Sequence, residues 1–530
     1  MRQEDKERIK IEVTHRVLEH FGSDPIAIEQ AVFDTIYEER RRLDTEKNKK
    51  LAKAQAEFYD RVYREARRAA PDRQRELLRE MVRAFAEEVT GNFDPRVYSI
   101  ATGVLPSALG VLLNALSPLR LLEAAKHGSF SLDEHLQVGG EVEAVQKAAQ
   151  IGTTVVVPTH LSNFDSIIIG LALYRMGLPP YTYGAGLNLF TNKLMSFFMH
   201  NVGAYKVDRR KKAAVYKDVL KTYAGCSIEM GYNNLFFPGG TRSRSGAVEK
   251  KLKLGLMGMG LDAYIHNLST GKPKPDVFVV PATINYQLVL EAQTLIEDHL
   301  KEVGKSRYII EDDEFSQVRK IVDFVQKLLS LESTIHIIVG KPLDVFGNEV
   351  DANGVSHDHR GRPVDRKRYV FQDGKPVHDK QRDQEYTREL SRSVVDAYVR
   401  ETVLSSTHLL THVVFGMLRE RSPDHDLYRL LRTGGRDESL AVTEVYERVD
   451  RELATLRRLA NEGKVRLDES LSHRDTVAIV NEALAHLASY HRKPAVVRRG
   501  DRLFHEDRNL LLYYQNRLDK LGLPGIERVS

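Results

Sequence analysis

Residues 155–169 read Val-Val-Val-Pro-Thr-His160-Leu-Ser-Asn-Phe-Asp165-Ser-Ile-Ile-Ile, a β-branched run, a polar turn and a second apolar run. The first run predicts a buried strand that ends at Pro158, and the second predicts a helix that begins near Ser162 or Asn163. The turn between them lies at the carboxyl end of the strand, where α/β folds usually bind ligands. We therefore expect the polar residues of this turn to carry chemistry.

His160 and Asp165 are the two residues of the turn that predict a reaction. Asp165, five residues after His160, can fold back and accept a hydrogen bond from one ring nitrogen. That bond fixes the tautomer and leaves the other nitrogen free to take a proton, as in hydrolytic triads. No nucleophilic serine is needed if a substrate hydroxyl attacks. A bare pair at this spacing is more often structural, so the interpretation depends on further motifs.

The sequence contains three further motifs: Gly203-Ala-Tyr-Lys-Val-Asp-Arg209, Phe236-Phe-Pro-Gly-Gly-Thr-Arg-Ser-Arg-Ser-Gly246 and Val280-Pro-Ala-Thr-Ile-Asn-Tyr286. Each has a predicted strand and an edge that carries glycines, arginines or a proline. Glycine lets the backbone approach a ligand closely, and the planar fork of arginine binds phosphate oxygens in pairs. One such motif alone would be an ordinary turn, whereas four in this order are specific.

The four blocks resemble those of the glycerolipid acyltransferase superfamily, which includes glycerol-3-phosphate and lysophosphatidic acid acyltransferases. The resemblance implies that His160 and Asp165 form the catalytic dyad. It also implies that Arg209, Arg242 and Arg244 hold the phosphate of the acceptor. The residues that match the blocks without a chemical role of their own are Gly203, Gly240, Thr241, Ser243 and Pro281.

Within the superfamily, the chain is most similar to the long bacterial glycerol-3-phosphate acyltransferases. The similarity lies in the Arg-Ser-Arg-Ser-Gly end of the third block, in Tyr286 of the fourth block, in the segment 512–516 and in the terminal extensions. The second block reads Asp-Arg209 at its end, which is closer to the short lysophosphatidate enzymes. The third block departs from the family because Gly239 stands where a glutamate is usual.

This resemblance implies an O-acyltransferase that moves a fatty acyl group from acyl-CoA or acyl carrier protein to glycerol 3-phosphate. We expect His160 to act as the general base, and we expect the reaction to require neither a metal nor a cofactor. Lysophosphatidate and dihydroxyacetone phosphate are alternative acceptors. A non-catalytic lipid-binding scaffold is the rival of another class, since Gly239 replaces the usual glutamate. Neither a nucleic-acid motif nor an aromatic stacking platform accompanies the basic residues, so nucleic acid is not an expected partner.

Hydrophobic periodicity predicts an α/β fold in which a mostly buried β-sheet is flanked by helices, with all-helical regions at both ends. The predicted organisation is a helical region at 1–140 with an apolar segment at 97–119, an α/β acyltransferase domain at 141–345, a polar inserted loop or hairpin at 346–384, and a helical region at 385–530.

Composition and charge bear on where this chain works. It has 530 residues, of which 42% are hydrophobic, and a net charge of +5. Its single cysteine cannot form an internal disulfide, and this is typical of proteins in a reducing compartment. Residues 203–253 hold twelve Lys or Arg against four Asp or Glu, a balance that suits nucleic acid, anionic lipid or a phosphorylated substrate. The charged amino terminus predicts no secretory signal. Segment 97–119 predicts a buried or interfacial hairpin, and we expect a peripheral or monotopic protein on the cytoplasmic face of the cell membrane.

Overall fold

The computed structural model describes residues 1–46, 48–100, 135–187, 196–197, 200–303, 333–433, 439–489, 491 and 493–529. Beyond residue 100, the sequence-predicted apolar segment 97–119 lies outside the described residues. Among the helices of the described ranges, none combines the length and the apolar character needed to cross a bilayer.

The N-terminal region is built from amphipathic helices, as the spacing of its apolar residues predicts: α1 (Gln3–His20), α2 (Pro25–Asp44), α3 (Lys49–Ala66) and α4 (Pro71–Val89). On α1 the buried residues Ile9, Val13 and Val17 recur every four positions, so they form one face. That face packs against α4 and against a helix of the central region. Asp24 caps α2 by accepting the backbone N–H of Ile26 at 3.0 Å.

A seven-stranded sheet forms the centre of the described part of the chain: β1 (Leu136–Gly140), β2 (Thr153–Pro158), β3 (Thr182–Gly186), β4 (Ala204–Val207), β5 (Asn234–Leu235), β6 (Val277–Tyr286) and β7 (Ile335–Val339). The spatial order is β1-β7-β6-β2-β5-β3-β4. Every neighbouring pair is parallel except β6 with β7. The helices between the strands are α5 (Val142–Ile151), α6 (Asp165–Arg175), α7 (Ala214–Glu229), α8 (Leu254–Met257), α9 (Met259–Ser269) and α10 (Ala292–Val303).

The parallel arrangement brings the ends of the motif strands together. Because β2, β4, β5 and β6 run in one direction, their carboxyl ends lie at the same edge of the sheet. The strands β2 and β6 are buried along their whole length, which explains their continuous apolar character. In their register Val157 is paired with Pro281, so the fourth block lies beside the end of β2.

Several elements differ from their sequence predictions. The sheet begins at Leu136, inside the region predicted to be helical. The sequence did not predict β1 because this strand has only five residues and few of them are apolar. β6 has ten residues and begins at Val277, three positions before the start of the fourth block at Val280. α6 begins at Asp165, later than predicted, because the Asp165 carboxylate binds the preceding backbone N–H groups and holds them in a turn.

The polar region at 346–384 contains short strands and tight turns. Its elements are β8 (Glu349–Val350), β9 (Ser356–His357), β10 (Pro363–Val364), a 3-10 turn (Arg366–Tyr369), β11 (Phe371–Gln372) and β12 (Lys375–Pro376). The strands β8, β9 and β10 form a small antiparallel sheet, and β11 and β12 form a hairpin. Gly374, which has a left-handed backbone conformation, lies in the turn of that hairpin.

The C-terminal region is mainly helical, as predicted, with α11 (Lys380–Glu401), α12 (Ser406–Arg421), α13 (Leu427–Thr433), α14 (Val442–Asn461), α15 (Glu469–His473), α16 (Thr476–Ser489) and α17 (Arg508–Asp519). It also holds short strands, β13 (Val403–Leu404), β14 (Ser439–Ala441), β15 (Arg466–Leu467), β16 (Val496–Arg499) and β17 (Arg502–His505). Helix α17 packs against α10 and α12. Its Asn516 side chain donates to the carbonyl of Ser245 at 2.9 Å, so this helix contacts the loop of the third block.

Candidate active site

The turn between β2 and α6 holds His160 and Asp165 in direct contact. His160 Nδ1 lies 2.9 Å from Asp165 Oδ2. The same oxygen accepts the backbone N–H of Leu161 at 2.6 Å and that of Ser162 at 2.9 Å, and Oδ1 accepts the hydroxyl of Tyr286 at 2.6 Å. Asp165 is fully buried. Four donors therefore fix the position of its carboxylate and, through it, the orientation of the imidazole.

The surroundings of His160 favour the neutral imidazole. Burial lowers the pKa of His160 from its usual value of 6.5, Asp165 raises that pKa, and the charges of Arg242 and Arg209 lower it again; the net direction is downward. The ring is therefore neutral at neutral pH. Because Nδ1 faces a carboxylate that can only accept, Nδ1 carries the proton and Nε2 carries a lone pair. The imidazole can take up a proton at Nε2.

The loop after β5, which includes the third block, contacts His160 in three ways. The ring of Phe237 stacks on the imidazole with centroids 4.1 Å apart and planes 22° from parallel. The backbone N–H of Ser243 donates to the carbonyl of His160 at 2.7 Å. The carboxylate of Glu249 accepts the backbone N–H of His160 at 2.7 Å. The position of the imidazole thus depends on the loop after β5 as well as on Asp165.

A second carboxylate, Glu291, connects the dyad turn to the arginines. It lies between β6 and α10 and is fully buried. Its Oε2 accepts the hydroxyl of Ser162 at 2.6 Å, and its Oε1 accepts the backbone N–H of Asn163 at 3.0 Å. Arg242 Nη1 donates to the same Oε1 at 3.1 Å. Glu291 therefore sets the distance between the turn that carries His160 and the guanidinium of Arg242.

The arginines predicted to hold a phosphate lie together at this edge of the sheet. Arg209 follows β4, and Arg242 and Arg244 lie in the loop after β5. Arg244 pairs with Glu302 at 2.8 Å. Although Arg209 is solvent-exposed, neighbouring protein atoms desolvate its guanidinium and lower its pKa, and the charges of Arg242 and Arg244 lower it further. Repulsion of this kind requires the guanidiniums to be near one another.

Arg209 differs from its neighbour Arg210 in how its charge is balanced. Arg210 pairs with Asp208 and with Glu46, each at 3.0 Å. Within the described part of the chain, the guanidinium of Arg209 has neither an ion pair nor a hydrogen bond. A guanidinium that lacks an anion and faces two other cations favours an anionic ligand.

The five residues that match the blocks without a predicted chemical role differ in their backbone conformations and contacts. Gly203 (φ +98°) and Gly240 (φ +77°) adopt left-handed backbone conformations that side chains rarely tolerate. Ser243 holds the carbonyl of His160, as described above. Pro281 lies in β6 beside Val157. The remaining member of this set, Thr241, is solvent-exposed in the loop after β5.

Sequence reasoning missed Glu249 and Glu291, which both contact the dyad turn. Glu291 had a weak signal, because it is a single carboxylate after the apolar run Leu288-Val-Leu290 and before a helix. Glu249 had none, because it stands next to lysines and resembles an ordinary solvated residue. In the ranges that the structure describes, no cluster of three or more His, Cys, Asp or Glu is arranged to hold a metal ion.

Residues 140–285 match the protein family described as Acyltransferase. Over 161 residues, 30% of this chain, the sequence is 33% identical to the glycerol-3-phosphate acyltransferase of Aeromonas hydrophila, of which the match covers 19%. Over 168 residues, 31% of this chain, it is 33% identical to the enzyme of the same name from Actinobacillus succinogenes, of which the match covers 20%. The chain thus spans about a fifth of the length of these curated relatives.

Among solved structures, one similarity is to the 1-acyl-sn-glycerophosphate acyltransferase of Thermotoga maritima. It covers 56% of this chain and 92% of that one, at 14% sequence identity and a TM-score of 0.24. That level of similarity is too low to bear on the fold or on the site.

Proposed function

We propose, from the premise that residues 140–285 match the Acyltransferase family, that this chain is a glycerol-3-phosphate O-acyltransferase of the glycerolipid acyltransferase superfamily. It moves a fatty acyl group from acyl-CoA or acyl carrier protein to a hydroxyl of glycerol 3-phosphate and forms lysophosphatidic acid. The observation that carries the proposal is the hydrogen bond between His160 and Asp165 beside the arginine cluster. The relatives that share this domain bear the name of the same activity.

In the proposed reaction, Nε2 of His160 takes the proton of the acceptor hydroxyl while its oxygen attacks the thioester carbonyl. The tetrahedral intermediate collapses, the carbon–sulfur bond breaks, and the imidazolium returns the proton to the leaving thiolate. General-base catalysis of this kind contributes about 10²–10⁴-fold to a rate. Asp165 stabilises the imidazolium that forms in between and remains a carboxylate.

The arginine cluster supplies the acceptor specificity in this proposal. The phosphate of glycerol 3-phosphate would neutralise the repulsion between Arg209, Arg242 and Arg244. Because Arg209 and Arg242 are near enough to His160 to lower its pKa, a phosphate held there leaves the hydroxyls of a three-carbon acceptor near Nε2. Positioning of this type can lower a barrier by about 7–11 kcal/mol at its best.

One transfer assay tests the proposal. Purified protein is given labelled glycerol 3-phosphate, 1-acylglycerol 3-phosphate or dihydroxyacetone phosphate, each with acyl-CoA and with acyl carrier protein as donor. We expect the highest kcat/KM with glycerol 3-phosphate. Preference for 1-acylglycerol 3-phosphate would assign the second step of the same chemistry instead. No transfer to any acceptor by a folded protein would favour the lipid-binding scaffold.

Arg209→Ala is expected to raise the KM for glycerol 3-phosphate by about 10- to 100-fold, since a hydrogen bond to a charged group contributes about 1.5–3 kcal/mol. The KM for the acyl donor should stay within experimental error. The matched control is Arg210→Ala, which removes the same charge from the next position, where Asp208 and Glu46 already balance it. Steady-state kinetics with each substrate varied in turn provides the measurement. Equal effects of the two variants would remove Arg209 from the binding site.

We also propose that the protein works at the cytoplasmic face of the cell membrane as a peripheral or monotopic protein. The acyl donor and the product are amphiphilic, and segment 97–119 is uncharged between Arg96 and Arg120. Cationic flanks of this kind contribute about 1 kcal/mol per residue near an anionic surface. The protein should float with vesicles that contain phosphatidylglycerol, and polar substitutions within 104–116 should weaken this binding. Failure of the unaltered protein to float would contradict the proposal.

A further inference from the structure

The carboxylate of Glu249 reaches the backbone of the proposed general base. Glu249 lies in the loop between β5 and α8, ten positions after Gly239. Its Oε1 accepts the backbone N–H of His160 at 2.7 Å. Within the described residues, its Oε2 is buried and has no hydrogen-bond partner. A buried carboxylate with an unsatisfied oxygen destabilises a fold, so a stabilising role alone does not explain it.

Gly239 leaves the space that the Glu249 side chain occupies. A Cβ atom at position 239 would lie 3.2 Å from Cγ and 3.4 Å from Oε1 of Glu249. The backbone of Gly239 is not left-handed, in contrast with that of Gly240. Position 239 can therefore hold an ordinary L residue as far as its backbone is concerned. What glycine supplies there is room for the side chain that comes from position 249.

We infer that Glu249 supplies, from ten positions further along the same loop, the carboxylate that the third block usually carries at the position of Gly239. Glu249 acts as a positioning residue for His160 and does not touch the substrate. A glutamate side chain that begins at position 239 spans, from Cβ to its carboxylate, a distance close to the 3.4 Å that separates this Cβ from Oε1 of Glu249. Either position can therefore deliver an acceptor to the N–H of His160. This inference rests on the proposed function.

The charges around Glu249 agree with this role. Burial raises the pKa of Glu249 to about 7, while the backbone N–H of His160 and the charge of Arg517 lower it, and the charge of Asp165 raises it. Arg517, on α17, is 2% exposed, and within the described residues its Nη1 also lacks a partner. The C-terminal helix thus provides a buried cation near the carboxylate. That cation lessens the penalty of keeping a charge beside the dyad turn.

The inference is tested by moving the carboxylate from one position to the other. Glu249→Ala should lower kcat by about 10- to 100-fold, the equivalent of one hydrogen bond to a charged group, with both KM values within about threefold of wild type. Glu249→Gln keeps an oxygen that can accept the same N–H and should retain most of the activity. Because an Ala at 249 removes the obstructing Cγ, the double variant Gly239→Glu/Glu249→Ala should recover at least about tenfold of the lost kcat.

The matched control is Gly239→Ala/Glu249→Ala, which adds a Cβ at position 239 without a carboxylate and should recover nothing. Gly239→Glu alone should lower activity, because two carboxylates then compete for one space. Thermal unfolding should show that Glu249→Ala is folded and at least as stable as wild type. Wild-type kcat in Glu249→Ala, or equal recovery by the control, would overturn the inference.

A second measurement does not depend on which acyl acceptor the protein uses. In protein labelled with ¹⁵N-histidine, the amide signal of His160, assigned by its absence from His160→Gln, reports the hydrogen bond to Glu249. We expect this signal to shift upfield in Glu249→Ala and to return toward its wild-type position in Gly239→Glu/Glu249→Ala. An unchanged signal in Glu249→Ala contradicts the inference. If wild type transfers acyl groups to no acceptor, the proposed function fails while this measurement still decides whether Glu249 holds His160.

Discussion

His160→Ala is expected to lower kcat by about 10²–10⁴-fold, the usual contribution of a general base, with little change in either KM. The arginine cluster remains in this variant, so the acceptor should still bind. The loss should appear equally with both acyl donors, because the proton comes from the acceptor hydroxyl. The measurement is steady-state transfer to glycerol 3-phosphate, with the bound acceptor checked by equilibrium binding of the labelled compound.

The control for this experiment is His359→Ala, since His359 is exposed in the polar region and distant in sequence from every block. It should have wild-type kinetics. His160→Ala also removes the stack on Phe237 and one donor to Asp165, so its stability must be measured alongside. A loss of about 1–3 kcal/mol in the free energy of unfolding is expected for such a buried polar group. Wild-type kcat in a folded His160→Ala would eliminate the proposed mechanism.

The lowered pKa of His160 predicts the pH dependence of the same step. Only the neutral imidazole accepts a proton, and burial holds the pKa below its usual 6.5. The rate should therefore fall on the acid side only below pH 6.5, and His160→Ala should lack this limb. The stability of the fold changes with pH in the same direction, because the buried ring is neutral. The contribution of His160 is complete above the unfolded pKa of about 6.5 and is lost as the pH falls from there through the lower pKa of the folded protein.

Asp165→Asn is expected to lower kcat by about 10³–10⁴-fold, an effect comparable with the loss of the base itself. The amide keeps the shape of the carboxylate but has only one acceptor oxygen. Its NH₂ group must then face either the N–H donors of the turn, including Leu161, or the hydroxyl of Tyr286. An unmatched pair of donors of this kind destabilises the buried turn and lets the imidazole rotate or change tautomer.

Tyr286→Phe provides a graded comparison for Asp165→Asn. It removes only the hydrogen bond to Oδ1 and leaves the bond between His160 and Oδ2 intact. Its effect on kcat should be about tenfold or less, in line with the loss of one hydrogen bond. Both variants are compared by steady-state kinetics and by urea unfolding. If Asp165→Asn kept wild-type kcat while Tyr286→Phe lost activity, the orientation of His160 would have to depend on another partner.

The sequence by itself determined the features that arise from local spacing. The four-residue recurrence of apolar side chains predicted the terminal helices, and the β-branched run before His160 predicted β2. The contact between His160 and Asp165 was predictable because five residues of one turn suffice to make it. The positions of Arg209 and Arg242 followed from each block having a strand and then a turn. In a parallel sheet such turns lie at one edge.

The tertiary structure alone decided which distant side chains meet at that edge. Glu249 and His160 are 89 positions apart, and Ser162 and Glu291 are 129 apart. Nothing in the spacing of such residues marks a contact, because it depends on the order of the strands and on the path of the loops between them. The antiparallel pairing of β6 with β7 likewise left no local signal, since a strand buried on both faces is apolar in either direction. Burial of a charged side chain beside the dyad is a property of the packed chain, and an isolated sequence of Glu and Lys reads as a solvated surface.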